Sequence, residues 1–276
     1  MQALFSLTPS ESKRLIGMAV AGMPEVLMAM RKGYLLVGRG STNAFVLEAL
    51  LKKPVEKEKY VAGQVIRGVL CALHQDMRSK PVTFHEGKVL NEDPAALVGK
   101  LGPGDVLLKG ANAVDHTGKV GVLMASPVGG TMGQFYMSVK AQGAAFICPV
   151  GLEKLIPSVE EAARCGGRMM LEKTLGAGAG LACVADARVV TEIEAIALLF
   201  SVKAVHFASG GYGGAEGCVT LVIEGEDGKV GKCMDFIENI KGEPPLAAVK
   251  GPCRTCPVLC SFKGKDEADL PAYLLG

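Results

Sequence analysis

The chain contains no tryptophan, and aromatic residues make up only 5% of its 276 positions. Histidine is also scarce, with four residues at His74, His85, His116 and His206. No two of them are three or four positions apart, the spacing that places two imidazoles on one face of a helix. We therefore do not expect a histidine-based metal centre.

A strong excess of charge of either sign is missing as well. The 30 Lys and Arg residues nearly balance the 28 Asp and Glu residues, for a net charge of +2. This balance provides no broad basic surface for nucleic acid or an anionic membrane, so a bound anion must be held by a few local groups. The most apolar stretch, residues 181–207, contains five charged side chains, which argues against a membrane-spanning helix. We expect neither a nucleic-acid nor a membrane partner.

An export signal is not evident either, because residues 1–13 have no apolar run behind a basic segment. A cytoplasmic location is the resulting prediction. The nine cysteines are an odd number in a long chain without such a signal. Their number favours reduced thiols or metal ligands over a disulfide framework.

Hydrophobic residues, at 49%, and 36 glycines are abundant, which predicts a sizeable core and many tight turns. Over the first half, short apolar runs alternate with helical patterns, which predicts an α/β fold with a mainly parallel sheet. We expect strands at residues 34–37, 105–108, 120–125 and 144–150, helices at residues 9–30, 61–73 and 135–142 and after residue 42, and a hairpin at residues 82–89.

After the glycine-rich residues 176–180, the pattern changes to the order β, α, β, β, α, β. We place these elements at residues 181–189, 191–202, 204–207, 218–224, 229–240 and 246–249. This order is typical of a ferredoxin-like α+β lobe. The predicted organisation is an α/β core domain at residues 1–180, a ferredoxin-like lobe at residues 181–250, and a cysteine-containing tail at residues 251–276.

A glycine loop follows the first predicted core strand and precedes a helix. It consists of Gly38, Arg39, Gly40, Ser41 and Thr42. The start of a helix offers unpaired backbone N–H groups and a partial positive charge, and the two hydroxyls add donors. The loop is therefore suited to a phosphate or a carboxylate, although the same residues also suit an ordinary turn.

Three segments together resemble a known family. Gly38 to Thr42 is similar to the Gly-x-Gly-Ser-Thr phosphate loop of ribose-5-phosphate isomerases, and residues 109–115 are similar to that family's Asp-Gly-Ala-Asp-Glu-x-Asp motif. The third segment is Gly129-Gly130 before a helix. The resemblance covers residues 34–151 and implies the fold shared by ribose-5-phosphate isomerases and CoA-transferases. Isomerases of this family also carry a ferredoxin-like lobe downstream.

The catalytic carboxylates of that family are not retained. Aldose–ketose isomerisation requires a carboxylate to move a proton, and the family takes it from the helix after the third loop. No Asp or Glu occurs between Gly129 and Gly151, and Lys109, Asn112 and Ala113 replace acidic positions of the second motif. CoA-transferases also need a nucleophilic carboxylate, for which Glu86, Glu92 and Glu153 are available by residue type alone.

The sequence therefore predicts a binding protein or enzyme for a small anionic metabolite, a sugar phosphate or a CoA-type ligand, that is not a standard ribose-5-phosphate isomerase. The sequence assigns no catalytic residues. It also leaves the oligomeric state open, and a homo-oligomer is one of the possible states. The predicted ligand-binding residues are Gly38, Arg39, Gly40, Ser41, Thr42, Lys109, Asn112, Asp115, Gly129 and Gly130.

A cysteine cluster stands apart from these loops. Cys253, Cys256 and Cys260 form a Cys-x2-Cys-Pro-x2-Cys pattern, which is similar over these few residues to the cluster-binding motif of aldehyde ferredoxin oxidoreductases. Three thiols at this spacing can occupy three corners of a [4Fe-4S] cluster or a zinc site. The fourth ligand is not local; Cys165, Cys218 or Cys233 could supply it from the fold, or a partner or an exogenous ligand could do so. Cys71, Cys148 and Cys183 are predicted to be core residues.

Two other functions remain open beside metabolite binding. In the first, the chain is an iron-sulfur or zinc accessory protein whose cysteine cluster carries the function. In the second, it is a catalytically silent regulatory or interaction module, for which the missing carboxylates are the only argument.

Overall fold

The computed structural model describes residues 1–275 of the chain. The strands are β1 (Gln2–Leu7), β2 (Tyr34–Val37), β3 (Gly63–Ile66), β4 (Val69–Ala72), β5 (Val82–His85), β6 (Lys88–Leu90), β7 (Val106–Leu108), β8 (Ala113–Val114), β9 (Val120–Met124), β10 (Ala145–Pro149), β11 (Gly180–Val184), β12 (Arg188–Val190), β13 (Lys203–Ser209) and β14 (Val219–Glu224). The α-helices are α1 (Pro9–Ala21), α2 (Pro24–Lys32), α3 (Ser41–Leu51), α4 (Met137–Gln142), α5 (Val159–Arg164), α6 (Glu192–Phe200) and α7 (Asp227–Ile240). A π-helical turn, Met132–Tyr136, leads directly into α4.

A six-stranded mixed sheet forms the centre of the molecule, with the strand order β12-β10-β7-β2-β5-β6. The first four strands in this order are parallel to their neighbours, and β5 and β6 extend the sheet as an antiparallel hairpin. Glu86 and Gly87 form the hairpin turn with positive φ angles of 49° and 78°, as the sequence predicts. The expected α/β character, with parallel strands in the main sheet, is confirmed.

A separate antiparallel sheet has the order β1-β14-β13 and differs from the predicted ferredoxin-like arrangement. Its third strand is β1, from the start of the chain, and residues 246–249 form no strand. The predicted strand at residues 181–189 is two strands, β11 and β12, which pair with β9 and β10 in two other sheets. The strands within residues 181–250 therefore do not form a separate sheet. One edge of β14 pairs with β1, which comes from a distant part of the sequence.

Two predicted helices also differ. The helix expected over residues 9–30 is divided into α1 and α2, since Gly22 caps α1 and Pro24 begins α2. The helix expected over residues 61–73 is the hairpin of β3 and β4, which turns at Arg67 and Gly68 with positive φ angles of 51° and 74°. Two positive φ values match a tight hairpin turn and are incompatible with a continuous helix.

One buried apolar cluster joins the central sheet to the β1-β14-β13 sheet. It contains Leu7 of β1, Leu15 of α1, Val37 of β2 and Leu221 of β14. Helix α1 lies close to α3, because a Cβ atom added at Gly17 would be 2.8 Å from the Cβ atom of Phe45. Glycine at position 17 thus lets α1 approach the helix that follows the first glycine loop.

Candidate functional site

The carboxyl ends of the parallel strands β2, β7, β10 and β12 meet at one edge of the central sheet. The segments that follow them begin at Gly38, Lys109, Val150 and Thr191. In open α/β sheets, this edge is the usual position for a ligand. The strand pairing therefore brings together segments that are distant in the sequence.

Gly38 lies where the first loop leaves β2. Its N–H donates to the carbonyl oxygen of Leu108 at 2.8 Å. A Cβ atom at this position would be 2.9 Å from that oxygen and 3.3 Å from Cδ of Lys109, too close for an unstrained side chain. Glycine is thus required here for the first loop to lie against the end of β7.

The first turn of α3 follows this loop, and no side chain among residues 1–275 caps it. The Asn43 side chain, fully buried, lies beneath it, and its Nδ2 donates to the carbonyl oxygens of Gly38 at 2.7 Å and Leu108 at 3.1 Å. The Gly40 N–H donates to Tyr60 O at 2.9 Å. The backbone of the loop is held firmly while the start of α3 keeps its free N–H groups available.

The remaining residues of the first loop have different positions. Arg39 is half-buried, and its Nε donates to the carbonyl oxygen of Ser79 at 2.7 Å. Thr42 is buried and Ser41 is half-buried. Of the predicted polar donors, Ser41 is therefore the one that combines partial exposure with a position at the start of α3.

The third predicted loop lies beside the first. Gly129 and Gly130 have positive φ angles of 71° and 57°, and the polypeptide then enters the π-helical turn before α4. The Cγ2 atom of Thr131 would be 3.8 Å from a Cβ atom at Gly38. The structure thus brings the first and third glycine loops together.

Lys109 directly follows β7. Its Nζ donates to the carbonyl oxygen of Gly110 at 2.9 Å, and burial lowers the pKa of this amino group. A Cβ atom at Gly110 would be 3.6 Å from Pro149 O and 4.0 Å from Oδ1 of Asn43. Gly110 therefore lies between the start of α3 and the end of β10, where an added Cβ atom would be within van der Waals distance of both.

A group of charged side chains lies near the end of β10, where Glu153 and Lys154 of the following segment meet Lys13 of α1. Lys13 of α1 is 3.2 Å from Glu153 Oε1, and Lys154 is 3.5 Å from the same oxygen. All three side chains are at least three-quarters buried. Burial opposes ionisation of Glu153, but Lys154 and Lys13 outweigh it and lower the pKa of this carboxyl group.

Glu192 lies next to this group, at the start of α6, and is completely buried. Its Oε2 accepts a hydrogen bond from the Leu152 N–H at 2.9 Å. Burial and the nearby charge of Glu153 raise the pKa of Glu192 to about 7. The site thus has two neighbouring carboxyl groups, one held ionised and one that titrates near neutrality.

Two buried oxygen atoms at this edge, Asn43 Oδ1 and Glu153 Oε2, have no hydrogen-bond partner among the described residues. The Glu192 carboxyl group lies against the Ser12 hydroxyl of α1. Most buried polar atoms in folded proteins have a partner, so each exception requires an explanation such as a ligand, an ion or water. Chemically, the arrangement offers cationic groups and N–H donors for an anion, with carboxyl groups beside them.

Asn112 and Asp115, predicted as ligand residues, form hydrogen bonds that hold the loop around β8 and β9. Asn112 Oδ1 accepts from Leu123 N at 3.0 Å. Asp115 is buried and accepts four hydrogen bonds, three from Thr117 and Lys119 in its own turn and one from Val159 N of α5. These hydrogen bonds lower the pKa of Asp115 to about 2 against the effect of burial. The carboxylate is occupied by structural contacts.

The three predicted metal-ligating thiols lie elsewhere, in one pocket. Cys253, Cys256 and Cys260 line it together with Cys71 of β4 and His74. The sequence-based candidates for a fourth ligand are not among its lining residues: Cys165 is exposed, and Cys218 and Cys233 are buried. Within residues 1–275, no three His, Cys, Asp or Glu side chains already converge on a single metal position.

Lys13, Asn43, Glu192 and Cys71 were not predicted as site residues. Glu192 stands between the capping residues Thr191 and Glu194, a pattern that indicates a helix start and nothing more. Cys71 lies within the helix predicted over residues 61–73, but these residues form the hairpin of β3 and β4. The sequence therefore does not predict that Cys71 lies beside the cysteines of the tail. The local sequence carries no signal for either placement.

The described part of the chain has no helix that is long and apolar enough to cross a membrane. Comparisons with protein families, with curated proteins and with solved structures found no match to this chain.

Proposed function

We propose that the chain binds a small anionic metabolite, a sugar phosphate or a CoA-type ligand, at the carboxyl edge of the central sheet. The observation that carries this proposal is the uncapped start of α3, with Lys109 beside its loop and the buried Asn43 Oδ1 beneath it left without a partner among the described residues. Asn43 Oδ1 and Glu153 Oε2 are hydrogen-bond acceptors, so hydroxyl groups of the ligand or bound water would pair with them, while the anionic group would bind elsewhere.

The anionic group would lie at the start of α3. This helix has eleven residues and no side-chain cap among the described residues, so its first N–H groups and its dipole favour a negative charge. Lys109 supplies a cation next to the same loop, and Ser41 supplies a hydroxyl donor. A phosphate or carboxylate would offset the electrostatic cost of burying the Lys109 ammonium group.

The carboxyl pair suggests that binding is accompanied by proton transfer. Environments that separate the pKa values of two neighbouring carboxyl groups are typical of acid–base sites. Glu153 is the less buried of the pair, with 11% of its side chain exposed, so it is the group that would reach a ligand. Glu192 would position the Leu152–Glu153 segment through its hydrogen bond. Standard ribose-5-phosphate isomerase activity is not part of the proposal, because these carboxyls follow β10 and β12 rather than the third loop.

Thermal unfolding of the full chain with inorganic phosphate, ribose 5-phosphate or acetyl-CoA tests the proposal. A ligand present at about 100 times its Kd adds about 2.7 kcal/mol to the free energy of unfolding and raises Tm. We expect Lys109→Met, and separately the double variant Ser41→Ala with Thr42→Ala, to reduce this shift at least several-fold.

Lys100→Met is the matched control, because it removes a lysine that is exposed just before β7. It should bind as the unmodified chain does, and circular dichroism without ligand should show that all variants fold. If none of the three ligands raises Tm, or if Lys100→Met and Lys109→Met reduce the shift equally, the site is not at the start of α3.

A further inference from the structure

The pocket lined by Cys71, Cys253, Cys256 and Cys260 brings four thiols together from two distant parts of the chain. Cys71 lies in β4, whereas the other three belong to the tail that begins at residue 251. All four are partly buried and none forms a disulfide. Four thiols around one space are the ligand number of both a [4Fe-4S] cluster and a four-cysteine zinc site.

The tail is fixed against the hairpin of β3 and β4 by hydrogen bonds. Ala177 N donates to Leu70 O at 2.8 Å, and Ala177 also pairs with Cys260 as an isolated antiparallel bridge. Gly176 N donates to Ser261 Oγ at 3.0 Å, and Gln64 donates to Val249 O. The segment around residues 176–177 therefore lies between the hairpin and the tail and bonds to both.

A small cluster of buried apolar side chains also packs between the hairpin of β3 and β4 and the tail. Val69 of β4 packs with Phe262, Leu270 and Leu274 of the tail, and Cys71, Cys253 and Cys260 lie against this cluster. Cys71 thus faces the tail thiols because its own strand is the surface on which the tail folds. Its position depends on the fold rather than on a local cysteine motif.

Hydrogen-bond donors and positively charged side chains, which stabilise a negatively charged cluster, lie around the pocket. The Phe262 N–H donates to Cys260 Sγ at 3.4 Å, and Lys250 and Lys263 line the pocket. His74 is more than nine-tenths buried, also lines the pocket, and its Nε2 has no hydrogen-bond partner among the described residues. Hydrogen bonds to ligand sulfurs and nearby positive charge stabilise such clusters.

We propose that Cys71, Cys253, Cys256 and Cys260 ligate a [4Fe-4S] cluster, with His74 as a hydrogen-bond donor to it. A zinc ion requires its ligands to converge on one point, whereas the four thiols here line the walls of one pocket. A cubane places one iron at each of four corners and so accepts thiolates from opposite walls. Each thiol loses its proton when it binds iron.

Reconstitution of the full chain without oxygen, with ferric iron, sulfide and a thiol reductant that converts part of the iron to the ferrous state, tests this assignment. We expect about four iron and about four acid-labile sulfide per chain, a thiolate-to-iron absorption band, and an electron paramagnetic resonance signal after reduction. Cys71→Ala should lose the cluster as completely as Cys256→Ala does. Cys183→Ala and Cys165→Ala remove exposed cysteines outside the pocket and should retain it.

Alkylation of the unmodified chain provides a measurement that does not depend on how a variant folds. After reconstitution, mass spectrometry should show the four pocket cysteines protected from iodoacetamide, while Cys165 and Cys183 react. Removal of the cluster with a chelator should make the four reactive. Unprotected Cys71 in the loaded protein, or stoichiometric zinc with no uptake of iron, would overturn the proposal.

The outcome is separate from that of metabolite binding. Thermal shifts with phosphate and the sugar phosphate concern Lys109 and α3, which are not among the lining residues of the cysteine pocket. The chain could therefore bind a metabolite without binding a cluster, or bind a cluster without binding a metabolite, and the two experiments distinguish these outcomes.

Discussion

At the scale of single residues, Glu192 has the most unusual environment. It is completely buried, its Oε2 accepts a hydrogen bond from Leu152 N, and burial with the nearby charge of Glu153 raises its pKa from 4.5 to about 7. Between these two pH values, the folded protein holds a proton that the unfolded chain has lost. The free energy of unfolding should therefore decrease as the pH rises through this window.

Substitution of Glu192 by Gln should remove this pH dependence. The amide is neutral at every pH and its oxygen can still accept from Leu152 N, so Glu192→Gln should be more stable than the unmodified protein at pH 8, by up to about 3 kcal/mol. At pH 4 the two proteins should differ much less. Urea unfolding at pH 4, 6 and 8 provides the measurement.

Glu238→Gln is the matched control, since Glu238 lies on the exposed face of α7 and loses the same charge. It should keep the pH dependence of the unmodified protein. An unchanged slope in Glu192→Gln would mean that Glu192 is ionised in the fold throughout this range.

The sequence indicates some residues of the site and not others, for physical reasons. The glycines of the first loop were identifiable because Gly38 and Gly40 follow a strand and precede a helix, a local pattern. Two contacts that assemble the charged group are not local: Lys13 meets Glu153, and Glu192 meets Leu152, across more than one element. Asp115 matched a motif by type, yet its four hydrogen bonds assign it to a turn and to the start of α5.

At the scale of elements, Gly176 controls how the hairpin meets the tail. Its φ angle is 100°, and a Cβ atom there would be 2.4 Å from Leu70 O and 2.8 Å from Val69 Cγ1. Backbone atoms cannot move aside as the end of a side chain can. Glycine is therefore the residue that allows β4 and the 176–177 segment to bond.

Gly176→Ala should separate these elements. We expect a loss of about 2 kcal/mol or more in the free energy of unfolding, because strain at a positive φ adds to the clash. Limited proteolysis should also cut the tail sooner than in the unmodified chain. Urea unfolding and mass spectrometry of the fragments measure the two effects.

Gly228→Ala provides the comparison within a helix. An added Cβ atom in α7 would meet no atom within 4 Å, so the change should be neutral or should stabilise by up to about 1 kcal/mol. Equal effects of the two substitutions would contradict a special role for Gly176.

Elements with local signals were predicted well, and elements defined by distant pairing were not. The Thr8 and Glu11 capping box and the Glu86-Gly87 turn form as expected, since each is specified within a few residues. Residues 61–73 contain apolar positions that also fit helical spacing, and only pairing between β3 and β4 decides against a helix. β1 pairs with β14, more than 200 residues away, which no local pattern predicts.

At the scale of the whole molecule, β1 connects the start of the chain to its core. Its side chains alternate, so that Leu7 is fully buried in the cluster shared by both sheets while Leu4 is 55% exposed. One strand thus offers the same substitution in two environments.

Leu7→Ala should destabilise the whole fold by about 2–5 kcal/mol, since it leaves a cavity in the shared core. Leu4→Ala should change stability by less than about 1 kcal/mol. Urea unfolding followed by both circular dichroism and tyrosine fluorescence should show the entire transition moving with Leu7→Ala. A shift of only one part of the transition would mean that the two sheets unfold separately.

The cysteine pocket has a consequence for the order of events during protein synthesis. Cys71 is made early, but its wall of the pocket is incomplete until the ribosome has translated the chain through Cys260 and the tail has folded onto β4. Between the synthesis of Cys71 and that of Cys253, the nascent chain therefore carries one isolated thiol of the set. If the pocket binds the proposed cluster, insertion must wait until the tail has folded onto β4, so iron and sulfide would have to reach a chain already translated through Cys260.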